Sequence, residues 1–164
     1  MKIQSFSSLS NPEAEVLLLG TMPGVQSLAK NEYYGNPRNH FWKLLSTIFN
    51  EPLPVDYHEK KQLLLRNKIA VWDVLQACER EGSLDSAIMK EVPNDFTTFL
   101  NEHPNIQLIA FNGQKAAAFF KKYVRLHKEY AFVTLPSTSP AHAGKSFEQK
   151  LVEWNVIGAS RNAI

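Results

Sequence analysis

Val16-Leu17-Leu18-Leu19-Gly20-Thr21-Met22-Pro23-Gly24 is a run of four aliphatic residues leading straight into a turn built from two glycines and a proline. With no polar residue at alternate positions, such a run reads as a strand covered on both faces, and the glycine and proline end it. Working outward from it, helical and strand patterns alternate. Phe41, Leu44, Leu45, Ile48 and Phe49 fall at i, i+3, i+4, i+7 and i+8, one face of a helix. Asp56-Tyr57-His58-Glu59 has capping-box spacing and opens a helix to about Arg66, and Ile69 to Val74 is a second strand. Asn94 is a candidate cap for a helix to Glu102. Ile106 to Phe111 is a third strand, residues Gly113 to Val124 a helix, and Tyr130 to Leu135 a fourth strand. Ser146-Phe147-Glu148-Gln149 is a further capping box, and its helix is expected to turn Leu151, Val152 and Trp154 inward.

Strands separated by helices of this length imply right-handed crossovers and an α/β class fold. The architecture expected is a three-layer αβα sandwich with a central four-stranded parallel sheet, in a single domain of residues 1–164. Ala159 to Ile164 carry no helical pattern and are expected to fray. Ligands of open parallel sheets sit beyond the carboxyl ends of the strands. That directs attention to Thr21 to Asn39, Asp73 to Ser86, Asn112-Gly113 and Pro136 to Lys145.

Composition narrows the classes. Hydrophobic residues make up 44% and charged residues 21%, ordinary values for a globular protein. No apolar run reaches the ~20 residues of a membrane span, and the N-terminus carries no signal-like segment, so a cytoplasmic, membrane-free protein is expected. The single cysteine, Cys78, excludes an intramolecular disulfide, an all-cysteine zinc site and a four-cysteine iron–sulfur cluster. It reads as a buried small residue. The five histidines lack metal-site spacing, so neither metal nor cofactor is expected. A net charge of +2 permits a polyanionic partner without arguing for one. Lys60-Lys61 and Lys121-Lys122 read as solvated helix faces.

Tyr33-Tyr34-Gly35-Asn36-Pro37-Arg38-Asn39-His40 gathers aromatics, amides and a guanidinium in one irregular loop. Aromatic faces stack on extruded bases, and an asparagine reads a base edge or orients a water. Against that stand plainer roles: Tyr33 as a core-edge aromatic and Asn39 as a helix cap. Asp73 ends an otherwise apolar strand, where it either accepts from a base N–H or caps the turn that follows. Asn112 caps the next helix or lines the pocket, and Asp85 reads as a cap within Gly82 to Ser86. Ser137, Thr138, Ser139, His142, Gly144 and Lys145 form a small, polar and basic loop suited to phosphates.

Three segments together resemble the uracil-DNA glycosylase superfamily, most closely its hypoxanthine-DNA (deoxyinosine) glycosylase branch, family 6. Gly20-Thr21-Met22-Pro23-Gly24 is similar to the first motif. Asn36-Pro37-Arg38-Asn39-His40-Phe41-Trp42 is similar to the segment that follows it, and Leu135-Pro136-Ser137-Thr138-Ser139-Pro140 to the second motif. The resemblance implies a DNA glycosylase of base excision repair that flips out a deaminated base and hydrolyses its bond to the sugar. It implies Asn39 as the catalytic amide, because Met22 stands where relatives carry asparagine or aspartate and a thioether cannot orient water. Base contacts then fall to Met22, Tyr34, Asp73 and Asn112. DNA contacts fall to Pro23, Gly24, Arg38, Ser137, Ser139, His142 and Lys145, with Ala141-His142-Ala143 in the place of the wedge that fills the vacated stack. The expected partner is single- or double-stranded DNA, and the expected state a monomer. Three alternatives stay open: a uracil or G·T/G·U mismatch enzyme, a nucleic-acid-binding module without catalysis, and a nucleoside hydrolase or deaminase, the deaminase version being opposed by the absent His/Cys zinc signature.

Overall fold

A computed structural model of the chain describes residues 1–142 and 144–162, without the side chains of residues 160–162. It opens with β1 (Lys2–Gln4), β2 (Val16–Gly20), α1 (Val25–Lys30), α2 (Phe41–Ile48), α3 (Tyr57–Arg66) and β3 (Ile69–Asp73). Then come β4 (Leu75–Glu79), a 3-10 turn at Asp85–Ala87, β5 (Met89–Pro93) and α4 (Phe96–Glu102). The chain ends with β6 (Leu108–Asn112), α5 (Gln114–Tyr123), β7 (Ala131–Leu135), α6 (Phe147–Trp154) and α7 (Val156–Asn162).

β3, β2, β6 and β7 pair in that order, all parallel, as the alternating pattern requires. Successive side chains leave a strand on opposite faces, and here both faces are apolar. Leu17, Leu19, Ala70, Ile109 and Phe111 meet α4 and α5 through Phe96, Phe99 and Phe120. Val16, Leu18, Ile69, Val71 and Ala110 meet α2, α3 and α6 through Phe41, Leu45, Leu64 and Trp154. The result is the three-layer sandwich. Leu17, Leu18 and Leu19 are wholly buried, each stabilising the fold by roughly 1.5–3 kcal/mol relative to exposure.

Several local readings are corrected. The cap of α4 is Asp95, whose carboxylate accepts from Thr98 N, whereas Asn94 donates its amide to Asp73 O. Val152 is 75% exposed, so α6 turns Lys150 and Trp154, with parts of Phe147 and Leu151, inward. The segment after β2 is not wholly irregular, since it holds α1. After Asp73 the chain does not enter a loop but passes through Val74 into a second sheet, of antiparallel order β1-β4-β5. Its strands are short and half-exposed, which leaves little apolar pattern to read. Cys78, on β4 opposite Ile3, is indeed buried. Residues 159–162 continue α7 instead of losing helical form. Just before them, a Cβ on Gly158 would lie 2.7 Å from Ile48 Cγ2, so glycine lets α7 approach α2 this closely.

Candidate active site

Gly20 is the last residue of β2, and its missing side chain shapes the site. A Cβ there would meet Asp73 Oδ1 at 2.7 Å and the Tyr34 hydroxyl at 2.8 Å. Those two groups therefore converge over a bare stretch of backbone. Thr21, Met22 and Pro23 follow, all buried. The guanidinium of Arg80 is wholly buried beneath them and donates through Nη2 to Pro23 O. Its Nη1 lies 3.9 Å from Asp85 Oδ1, while Nε and Nη1 form no hydrogen bond.

α1 carries the chain back toward the sheet. Ser27 Oγ accepts from Gly35 N at 2.9 Å, and Lys30 Nζ donates to Gly35 O at 2.7 Å. These bonds hold Tyr34 at φ 53°, a left-handed conformation that a bulky side chain seldom adopts. One face of the Tyr34 ring stacks on Phe41, with centroids 3.9 Å apart. Its hydroxyl is buried without a well-formed hydrogen bond, although the Asn112 amide lies near enough to act on it. Tyr33 is a packing residue, as its plainer reading had it: its hydroxyl donates to Phe6 O and Ser7 O, and its carbonyl accepts from Trp42 Nε1.

The loop then tightens into a turn. Asn39 N donates to Asn36 O, and Asn36 Oδ1 accepts from Arg38 N. Asn39 Oδ1 accepts from Phe41 N at 2.9 Å. The N-cap of α2 is His40, and Asn39 just before it takes up the first N–H of the helix, a bond that fixes its side chain. Capping and chemistry are compatible, since one lone pair of Oδ1 and both protons of Nδ2 stay available.

Asp73 is buried beside Gly20. Ser5 Oγ donates to its Oδ2 at 2.5 Å. Burial raises the carboxyl to about 7, with the charge of Asp85 adding to the shift and Ser5 and Arg80 opposing it. Asp85, read from sequence as a cap, lines the cleft instead; burial also pushes it up, with Thr21 and Arg80 opposing. The Thr21 hydroxyl is buried without a well-formed bond of its own.

Asn112 does not cap α5, whose N-cap Gly113 stands at φ 99°. Its side chain clamps the second motif: Nδ2 donates to Thr138 Oγ1 and Oδ1 accepts from Thr138 N, both at 2.9 Å. His40 N donates to Thr138 O, joining the two motif loops. Ser137 Oγ and Ser139 Oγ accept from Ser139 N and Ala141 N, so the loop is held by its own hydroxyls.

These loops enclose a cleft of about 520 Å³, within the usual range for small-ligand sites. It brings together Met22, Pro23, Gly24, Tyr34, Asn39, Asp73, Asn112, Ser137, Ser139 and His142. Met22 also packs into the core on the α5 face. Arg38 and Lys145 stand outside this cleft, in an adjoining one, and Lys145 is paired with Glu153. Ala143 lies outside the described residues. The sequence reading gave Thr21, Arg80 and Asp85 no place in the pocket, although all three fall in segments it marked at strand ends. Their placement depends on the second sheet, and a lone arginine after an unseen strand gives no signal of burial.

Residues 7–156 match the family described as the Uracil DNA glycosylase superfamily. The chain belongs to that superfamily. Among its relatives, a protein of Methanosarcina barkeri named hypoxanthine DNA glycosylase is 41% identical over 73% of this chain and 76% of its own. Another of that name, from Methanosarcina acetivorans, is 37% identical over 94% of this chain and 96% of its own. The solution NMR structure of a candidate uracil DNA glycosylase from Methanosarcina acetivorans superposes with a TM-score of 0.86. It is 35% identical and covers 99% of both chains. The superfamily's fold is therefore the one found here.

Proposed function

We propose that this chain is a monofunctional DNA N-glycosylase that extrudes hypoxanthine from deoxyinosine-containing DNA and hydrolyses its bond to the sugar, leaving an abasic site. The observation that carries the reading is the meeting of Asp73 Oδ1 and the Tyr34 hydroxyl over Gly20. Hypoxanthine has a proton on N1 where adenine has a lone pair, so a carboxylate at that edge favours the deaminated base and repels the normal one. Tyr34 stacks on the base with Phe41 behind it, and the backbone at Met22 receives a base carbonyl. The names of the two Methanosarcina relatives point to the same substrate.

Asn39 is neutral and cannot act as a strong base. It holds a water against the anomeric carbon through its free lone pair and amide protons, which suffices when the base departs ahead of attack. Labelled duplexes carrying deoxyinosine, uracil, xanthine or a G·T mismatch, treated with alkali after incubation, test the reading. Deoxyinosine is expected to be cleaved fastest, and Asn39→Ala to lose about 10²–10³ in single-turnover rate. Native-rate excision by that variant would remove Asn39 from the mechanism. Cleavage of uracil alone would move the substrate assignment, and cleavage of nothing would leave a binding module.

A further inference from the structure

A second cleft, of about 740 Å³, opens beside the first and shares Tyr34, Asn39 and Ser139 with it. Lys and Arg residues line it, and among the described residues no aspartate or glutamate does. For a chain with a net charge of only +2, that segregation is pronounced. Lys150, on α6, lies at its wall and is 1% exposed. Among the described residues no hydrogen bond or ion pair meets its ammonium. With no counter-ion among the described residues, the ammonium at the cleft wall is free to take an anionic ligand.

The neighbours make the same point. His40 Nδ1 is buried without a partner. Its ring stands edge-on to Phe147 at 5.4 Å, and Lys43 Nζ lies 4.4 Å over that same ring. Burial, then Lys150 and Lys43, hold the His40 imidazole below its ordinary range, opposed only by the exposed Glu148. Burial likewise lowers the Lys150 ammonium. An arriving anion would reverse both directions.

We propose that Lys150, together with His40 and Lys43, seats a backbone phosphate of the DNA strand that carries the flipped nucleotide. The cleft continues past this seat to Arg38 and Lys60. That extension fits a strand of phosphodiesters better than one free anion. Lys60, plain in the sequence, becomes part of the path. The proposal rests on reading the first cleft as the base pocket.

The test is binding, not excision, so the two readings fail separately. Anisotropy of a labelled duplex holding a non-cleavable abasic analogue is followed across a salt series. Lys150→Met is expected to weaken binding about 5- to 10-fold at low salt and to reduce the slope of log K against log salt by about 1. Lys150→Arg restores the slope. Because Lys150 makes no hydrogen bond or ion pair among the described residues and methionine keeps most of its apolar stem, Lys150→Met should melt no lower than the native chain, which separates a ligand seat from a structural lysine. Lys43→Met, at an exposed position, gives a smaller change of the same sign and keeps the test open should Lys150→Met not fold. A folded Lys150→Met with native affinity and slope overturns the proposal. So does displacement of the duplex by micromolar inorganic phosphate, which would assign the seat to a free anion. Loss of slope in a protein that leaves deoxyinosine intact would keep the seat and remove the base assignment.

Discussion

Asp73 is the residue at which structure and chemistry press hardest on each other. Its carboxyl is raised to about 7 by burial, whereas an unfolded aspartate titrates near 4. Below about pH 4 both states are protonated and the folded state keeps its full stability. Between about pH 4 and 7 the unfolded chain ionises and the folded chain does not, so stability falls as pH rises, levelling off above 7. The gap corresponds to on the order of 4 kcal/mol. Asp73→Asn should flatten that fall, and melting curves across this pH range check it. On the proposed contact between Asp73 and a base N1–H, the same ionisation strengthens acceptance, so native excision of deoxyinosine should rise through about pH 7, and the profile of the Asp73→Asn variant should lack that limb. Asp73 stood out in the sequence as a carboxylate ending an apolar strand, yet its partners did not. Ser5 is far away along the chain and belongs to no motif.

Elements decide where those residues can act. The central strands were legible as apolar runs buried on both faces, and the longer helices over them because each buries one face at helical period. Capping boxes at Asp56 and Ser146 marked two helix starts correctly, and the structure shows both caps formed. The second sheet was illegible because its strands pair at the surface and α1 because it has only six residues. The Asn112–Thr138 clamp joins β6 to the second motif and can be tested alone. Asn112→Ala leaves the amide N–H and hydroxyl of Thr138 buried without partners, at a cost of about 1–3 kcal/mol. A urea midpoint that falls at unchanged m-value, with weakened DNA binding, is the expected result. An unchanged midpoint would show that the clamp contributes nothing. Thr138→Val keeps the backbone bond and should cost less.

At the scale of the molecule, the cleft proposed to take the base lies where two sheets meet. Asp73 closes the parallel sheet, Val74 crosses over, and the first-motif loop rests on Arg80 just beyond β4. Both sheets must be in place for the cleft to keep its shape. One observable follows from Cys78, buried on β4 with its thiol raised by burial. A solvent-borne thiol reagent reaches that sulfur only when the smaller sheet opens. Labelling should therefore run far slower than with denatured chain, a 10³-fold slowing corresponding to an opening cost of about 4 kcal/mol. DNA that occupies the cleft should slow it further, while labelling at the denatured rate would mean that the sheet is open in solution. The lone thiol thus lets this chain report on itself, registering how much of the time the floor of the site is open.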